Sequence, residues 1–139
     1  MKLNIFIYGT RGLGLEISKN IILAGPKKVT IFDPYIAKII DLSANFYLTK
    51  EDIDNKKRRD ELVIEKLLLL NPYVKIEIIK GNDILGNIQN GQKDNESKYD
   101  VVLVSEFLPR EEIIKINYIC IYIYSRIRYI WLLICSFWR

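Results

Sequence analysis

The residues of this chain best suited to chemistry are three glycines and an acid near its N-terminus. Gly9-Thr10-Arg11-Gly12-Leu13-Gly14 follows an apolar run, Leu3–Tyr8, and Asp33 follows a second run, Lys28–Phe32. A glycine turn between strand and helix presents bare backbone N–H groups to a pyrophosphate, and an acid about 20 residues further on can accept from a ribose hydroxyl. Gly9 and Gly14 fit the spacing Gly-x-Gly-x-x-Gly, but Arg11 occupies the middle glycine position. That glycine lets the main chain approach the phosphates closely, and a side chain there stands where they would lie. The turn therefore signals a nucleotide-binding fold compromised at its centre. Each residue has a second reading. Gly9, Gly12 and Gly14 also suit tight strand-to-helix packing without a ligand, and Asp33 suits a turn acid before Pro34. Arg11 could reach a partner's phosphate or carboxylate, since a guanidinium fork fits both, or could face solvent and merely block the pocket.

Other chemistries are poorly supplied. The chain has no histidine, which removes the usual imidazole base and most zinc schemes. Its two cysteines, Cys120 and Cys135, lack CxxC spacing and any activating histidine, so buried reduced thiols are expected. No catalytic carboxylate pair can be argued, and neither a catalytic residue nor a metal site is assigned. The formal charge is +4, but Lys115, Arg126, Arg128 and Arg139 fall in an acid-free stretch from Ile113, leaving 17 cations against 17 acids elsewhere. A neutral body with a basic end is not a nucleic-acid module. Acids flank the run Lys56-Lys57-Arg58-Arg59, which reads as a solvated loop and helix start.

The elements that would position the turn follow from pattern. The 139 residues suffice for one domain with a real core. Leu3–Tyr8, Lys28–Phe32 and Asp100–Val104 read as buried parallel strands. Leu13, Ile17, Ile21 and Ala24 have helical spacing over Arg11–Ala24, stopped by Gly25-Pro26. Asp41 is placed as the cap of a helical turn at Asp41-Leu42-Ser43. Asp60–Leu70 reads as a helix ended by Asn71-Pro72, and Tyr73–Ile79 alternates like a half-exposed edge strand. Gly81–Lys98 reads as a surface loop with at most one helical turn, and disorder is expected in Gln89–Ser97. Pro109 opens a helix over Arg110–Tyr118, with Glu111 and Glu112 in its first turn.

From Ile113 the chain has no Gly, Pro, Ala, Asp or Glu. A membrane span is one alternative. Arg126 and Arg128 fall in mid-stretch and favour a buried fifth strand around Arg128–Ile134. The expected fold is α/β: a Rossmann-like three-layer domain with a mostly parallel sheet of four or five strands. It would occupy residues 1–112, with 113–139 an apolar, basic tail, either a truncated strand or a non-native continuation. No signal peptide precedes the first strand, and a cytoplasmic and nuclear location is the default.

Several segments together resemble a known family. Gly9–Lys27, Val29–Pro34, Asp41–Leu48 (Asp-Leu-Ser-Ala-Asn-Phe-Tyr-Leu), Glu51–Ile53 and Leu70–Val74 are similar, in order, to the ubiquitin-activating enzymes, relatives of the ThiF- and MoeB-like adenylating proteins. The likeness is good over residues 1–80 and looser over Asp100–Cys120. The family has an active adenylation half and a silent half, and this chain resembles the silent N-terminal one. Where the active turn reads Gly-x-Gly-Gly-x-Gly, this chain has Arg11. The active half's Asp-x-Asp is Asp33-Pro34-Tyr35 here, and its Asn-Arg-Gln-Phe is Ser43-Ala44-Asn45-Phe46. Lys57 falls near the family's ATP-contacting lysine.

The resemblance implies a vestigial nucleotide site at Gly9, Arg11, Gly12, Gly14, Asp33 and Lys57. The whole enzyme would use ATP and magnesium to adenylate the ubiquitin C-terminus and then form a thioester. This chain alone would bind neither cofactor and would act as scaffold for the active half. Its expected partners are that half and, in the full protein, ubiquitin, without nucleic acid or membrane. An isolated half could also pair with itself as a homodimer. The family's Tyr-Ser-Arg-Gln segment and thioester cysteine have no counterpart here, which implies a fragment of a far longer protein. Two alternatives stay open: a stand-alone NAD- or FAD-binding domain, or the equivalent half of a SUMO- or NEDD8-activating enzyme, although Asp41–Leu48 leans toward ubiquitin.

Overall fold

The structure is a computed structural model that describes residues 2–89, 99–120 and 129–132. Five parallel strands form one sheet in the order β3-β2-β1-β4-β5. They are β1 (Asn4–Tyr8), β2 (Lys28–Phe32), β3 (Lys75–Ile78), β4 (Val101–Val104) and β5 (Tyr129–Leu132). The α-helices are α1 (Gly12–Leu23), α2 (Lys50–Asp54), α3 (Arg59–Leu68), α4 (Ile84–Gln89) and α5 (Arg110–Tyr118), with a 3-10 turn over Ile39–Ser43.

Alternation along the strands creates the three layers, because successive side chains point to opposite faces. Ile5, Ile7, Val29, Ile31, Val101 and Leu103 face one way and pack with Leu15 and Ile22 of α1 and Val63 and Leu67 of α3. Phe6, Tyr8, Phe32, Val102 and Val104 face the other way and meet Ile84, Ile88, Ile116 and Cys120. Both faces are covered, which is why these strands read as continuous apolar runs.

The expected α/β fold and sheet are observed, and the fifth strand pairs parallel to β4 over Tyr129–Leu132. The edge strand is shorter than its alternating pattern. Lys28 and Lys75 flank Glu77 on it, at 2.5 and 2.8 Å, and both lower the Glu77 carboxyl pKa. Helix α2 is absent from the sequence reading. It is a single polar turn started by Thr49, which accepts from the Asp52 N–H while Asp52 accepts from the Thr49 N–H at 2.8 Å. Asp41 does not cap the 3-10 turn from outside but lies within it, and its Oδ2 accepts the Lys38 N–H at 2.9 Å. Among the described residues no helix is long and apolar enough to cross a membrane. The expected disorder in Gln89–Ser97 falls almost wholly outside the described residues, as do Cys135 and most of the tail.

Candidate functional site

The sheet order reverses between β1 and β4, because the chain runs from β1 outward to β3 and then returns to the other side of β1. In open parallel sheets the crevice at such a switch point, outside the C-terminal strand ends, is where ligands bind. Register brings the relevant residues there together. Tyr8 pairs with both Phe32 and Val104, so Gly9-Thr10-Arg11, Asp33 and Ser105-Glu106 leave the sheet side by side.

The glycine turn is held by backbone contact. Gly9 has φ +94°, a left-handed value that favours glycine. A Cβ at Gly14 would collide with the Gly9 carbonyl oxygen and with Ser105 Oγ. Ser105 Oγ also bonds the Tyr8 and Gly9 carbonyls, at 2.9 and 3.0 Å. Gly12 is half-buried, and a Cβ there would come within 2.6 Å of the Ala44 Cβ. Buried Asn45 donates through Nδ2 to the Thr10 carbonyl at 3.0 Å. The Asp41–Leu48 segment therefore lies over the turn. Within it Leu48 is buried, Tyr47 is half-buried and Phe46 is exposed.

Asp33 is fully buried. Its Oδ2 accepts the Thr10 N–H at 2.7 Å and the Thr10 hydroxyl at 2.8 Å. Its Oδ1 accepts the Tyr35 N–H at 3.2 Å and Arg59 Nη2 at 2.9 Å. A carboxylate offers about four acceptor sites, and here the chain's own donors fill them.

Arg59 sits at the meeting point of three acids. Nη2 also donates to Glu106 Oε2 at 2.5 Å, and Nη1 lies 3.5 Å from Asp41 Oδ1. Burial alone would lower the Arg59 pKa; Asp33, then Glu106 and Asp41, reverse this, and the net shift is upward. Its Nε is buried without a partner. Arg11, immediately before α1, reaches the same acids: Nε donates to Asp41 Oδ1 at 3.1 Å and Nη1 lies 3.8 Å from Glu106. A cation at the positive end of a helix dipole is unfavourable, and these two carboxylates offset it. Arg58 forms a separate clamp on Asp60, at 2.6 and 3.1 Å, while Asp60 accepts the Asp33 N–H at 2.9 Å. Burial raises the Asp60 carboxyl pKa in spite of Arg58.

The expectation of a solvated Lys56–Arg59 run is corrected at its second half. Lys56 and Lys57 are exposed, but Arg59 is buried because acids from distant segments converge on it, and Arg58 is half-buried, held by nearby Asp60 and the Ile79 carbonyl. Gly9, Arg11, Gly12, Gly14 and Asp33 gather at the crevice. Lys57 does not line it; its carbonyl accepts the Ala37 N–H at 3.1 Å. A cavity of about 240 Å³ remains, lined by Arg11, Tyr35, Ile36, Lys38, Ile40, Asp41, Arg59 and Glu106. Among the described residues no group of three or more potential ligands is arranged to hold a metal. The chain's own donors take up the acceptor sites of Asp33, and Arg11 and Arg59 both line the cavity.

Arg59, Glu106 and Ser105 had no place in the sequence reading of this site, and Asn45 entered it only within the Ser43–Phe46 motif. Glu106 carried one usable signal, since it follows a buried strand and so had to emerge at the sheet's C-terminal end. Cys120 is a free, buried thiol whose pKa burial raises to about 11.

Comparison with known proteins agrees with this architecture. Residues 1–120 match the ThiF family. Human ubiquitin-like modifier-activating enzyme 6 is 47% identical over 75 residues, covering 54% of this chain and 7% of that protein. Human ubiquitin-like modifier-activating enzyme 1 is 41% identical over 107 residues, 75% of this chain and 10% of that protein. The chain thus spans a tenth or less of these relatives' length. The crystal structure of Escherichia coli MccB with succinimide superposes with a TM-score of 0.70 at 19% identity, covering 85% of this chain and 34% of that one. Escherichia coli TcdA in complex with AMP gives 0.66 at 15% identity, covering 85% and 46%. These structures share the fold. The chain belongs to the ThiF family, and the relatives it resembles in sequence are ubiquitin-activating enzymes.

Proposed function

We propose that this chain is the non-catalytic adenylation half of a ubiquitin-activating enzyme, a scaffold that pairs with the active half. The whole enzyme would adenylate the ubiquitin C-terminal carboxylate with ATP and magnesium and pass it to a cysteine elsewhere, in the cytoplasm and nucleus. The observation that carries this reading is the crevice at the switch point. The four acceptor sites of Asp33 are taken, Arg59 fills the space between three acids, and Arg11 stands in the glycine turn. A site built this way gives shape to the domain and leaves little room for a triphosphate. Similarity to relatives named ubiquitin-activating enzyme E1 supports the choice of modifier.

Co-expression with the active adenylation half tests the reading. The expected result is a stable one-to-one complex that catalyses ubiquitin-dependent ATP–pyrophosphate exchange, while this chain alone catalyses none. Failure to form a complex, or exchange by this chain alone, would refute it.

A further inference from the structure

Resting on the pairing just described, we infer that the cavity beside Arg11 is a socket for a carboxylate-bearing apolar segment of the active half. Its lining carries three cations, Arg11, Lys38 and Arg59, against two acids, Asp41 and Glu106. Arg59 is buried and consumed by internal acids, whereas Arg11 is half-exposed, with its side chain 47% accessible. Lys38 is exposed, and its ammonium has no ion pair among the described residues. Asp33, bonded to Arg59, brings the acids to three, each paired with Arg59 or Arg11, so the free charge at the mouth is the exposed Lys38 ammonium. Around it the chain leaves Tyr35, Ile36 and Ile40 exposed, and Ile39 beside them is 72% exposed.

Consecutive isoleucines in water are unfavourable unless another surface covers them. A positive charge ringed by isoleucines matches an acid set beside an apolar side chain, and an interface with that composition has a dry centre and a charged rim. Inorganic phosphate or a nucleotide would satisfy the charge but leave the isoleucines bare. The cavity holds little more than one or two side chains, so the segment enters as a loop tip rather than as a helix laid in a groove.

The test measures affinity of the full chain for the co-purified active half, with four variants. Lys38→Glu sets like charges together and is expected to weaken binding about tenfold or more. Lys38→Arg should restore it, and Ile40→Asp should weaken it comparably. Lys115→Glu makes the same charge change at an exposed position on α5 and should leave binding unchanged. Circular dichroism checks that each variant folds. If the wild type associates but Lys38→Glu and Ile40→Asp bind as well as it does, the socket is refuted and the pairing stands. Equal weakening by Lys38→Glu and Lys115→Glu also refutes it, because only net charge then matters. Displacement of the active half by ATP or inorganic phosphate would reassign the cavity to a free anion. No association of the wild type overturns the pairing and the socket together.

Discussion

Replacing Arg59 with alanine should remove the centre of the crevice. The side chain is 5% exposed and donates to Asp33 at 2.9 Å and Glu106 at 2.5 Å, with Asp41 at 3.5 Å. Truncation leaves buried carboxylates without their cation, and breaking a buried ion pair from one side costs about 3–5 kcal/mol. The remaining partners place this case at the lower end. Asp33 keeps both Thr10 donors and the Tyr35 N–H, and Arg11 keeps Asp41. A loss of about 3 kcal/mol is a large part of a typical domain stability of roughly 5–15 kcal/mol. With a urea m-value near 2 kcal/mol/M, the unfolding midpoint should fall by about 1.5 M. Arg59→Lys should fall between, since an ammonium lacks the fork that spans two acids. A midpoint within about 0.3 M of wild type would refute the claim that this arginine holds the crevice together.

Gly12→Ala should destabilise by about 1–3 kcal/mol through overpacking against Ala44, and Ala44→Gly should recover part of that loss in the double variant. Additive losses in urea unfolding would mean that the Asp41–Leu48 segment does not press on the turn. Cys120, studied with Cys135 replaced by alanine, should resist a thiol reagent at pH 8 in the folded protein and react on unfolding. Its pKa of about 11 lies above the unfolded value of about 8.5, so the folded state keeps a proton that the unfolded state releases. Its contribution to stability is full below about pH 8.5 and is lost as pH rises through about 11, and Cys120→Ala should abolish that slope.

The fold was legible because its signals are local. Four apolar runs and one alternating run, a glycine turn after the first and Asn71-Pro72 after a helix are each read from a few neighbouring residues, and short length with flanking Gly9, Gly25-Pro26 and Pro34 removed the helix-or-strand ambiguity for β1 and β2. Helix α2 was missed although Thr49 and Asp52 spell its start, because five mostly charged residues carry no hydrophobic period. The glycine turn and Asp33 were visible as a site, but what fills it was not. Arg59 looks like part of a solvated run until Asp33, Asp41 and Glu106 arrive from three other segments. Such convergence is set by strand register, and a one-residue shift in β4 would have turned Glu106 elsewhere. Lys57 illustrates the reverse case: the family resemblance suggested a ligand contact, and Lys57 does not line the cavity.

At the switch point the chain's own donors take up Asp33, and Arg11 and Arg59 line the crevice. Calorimetric titration of the full chain with ATP and magnesium tests this most directly. No saturable heat is expected at ligand concentrations up to about 1 mM. Saturable binding tighter than that, lost in Gly14→Ala and strengthened in Arg11→Gly, would contradict it.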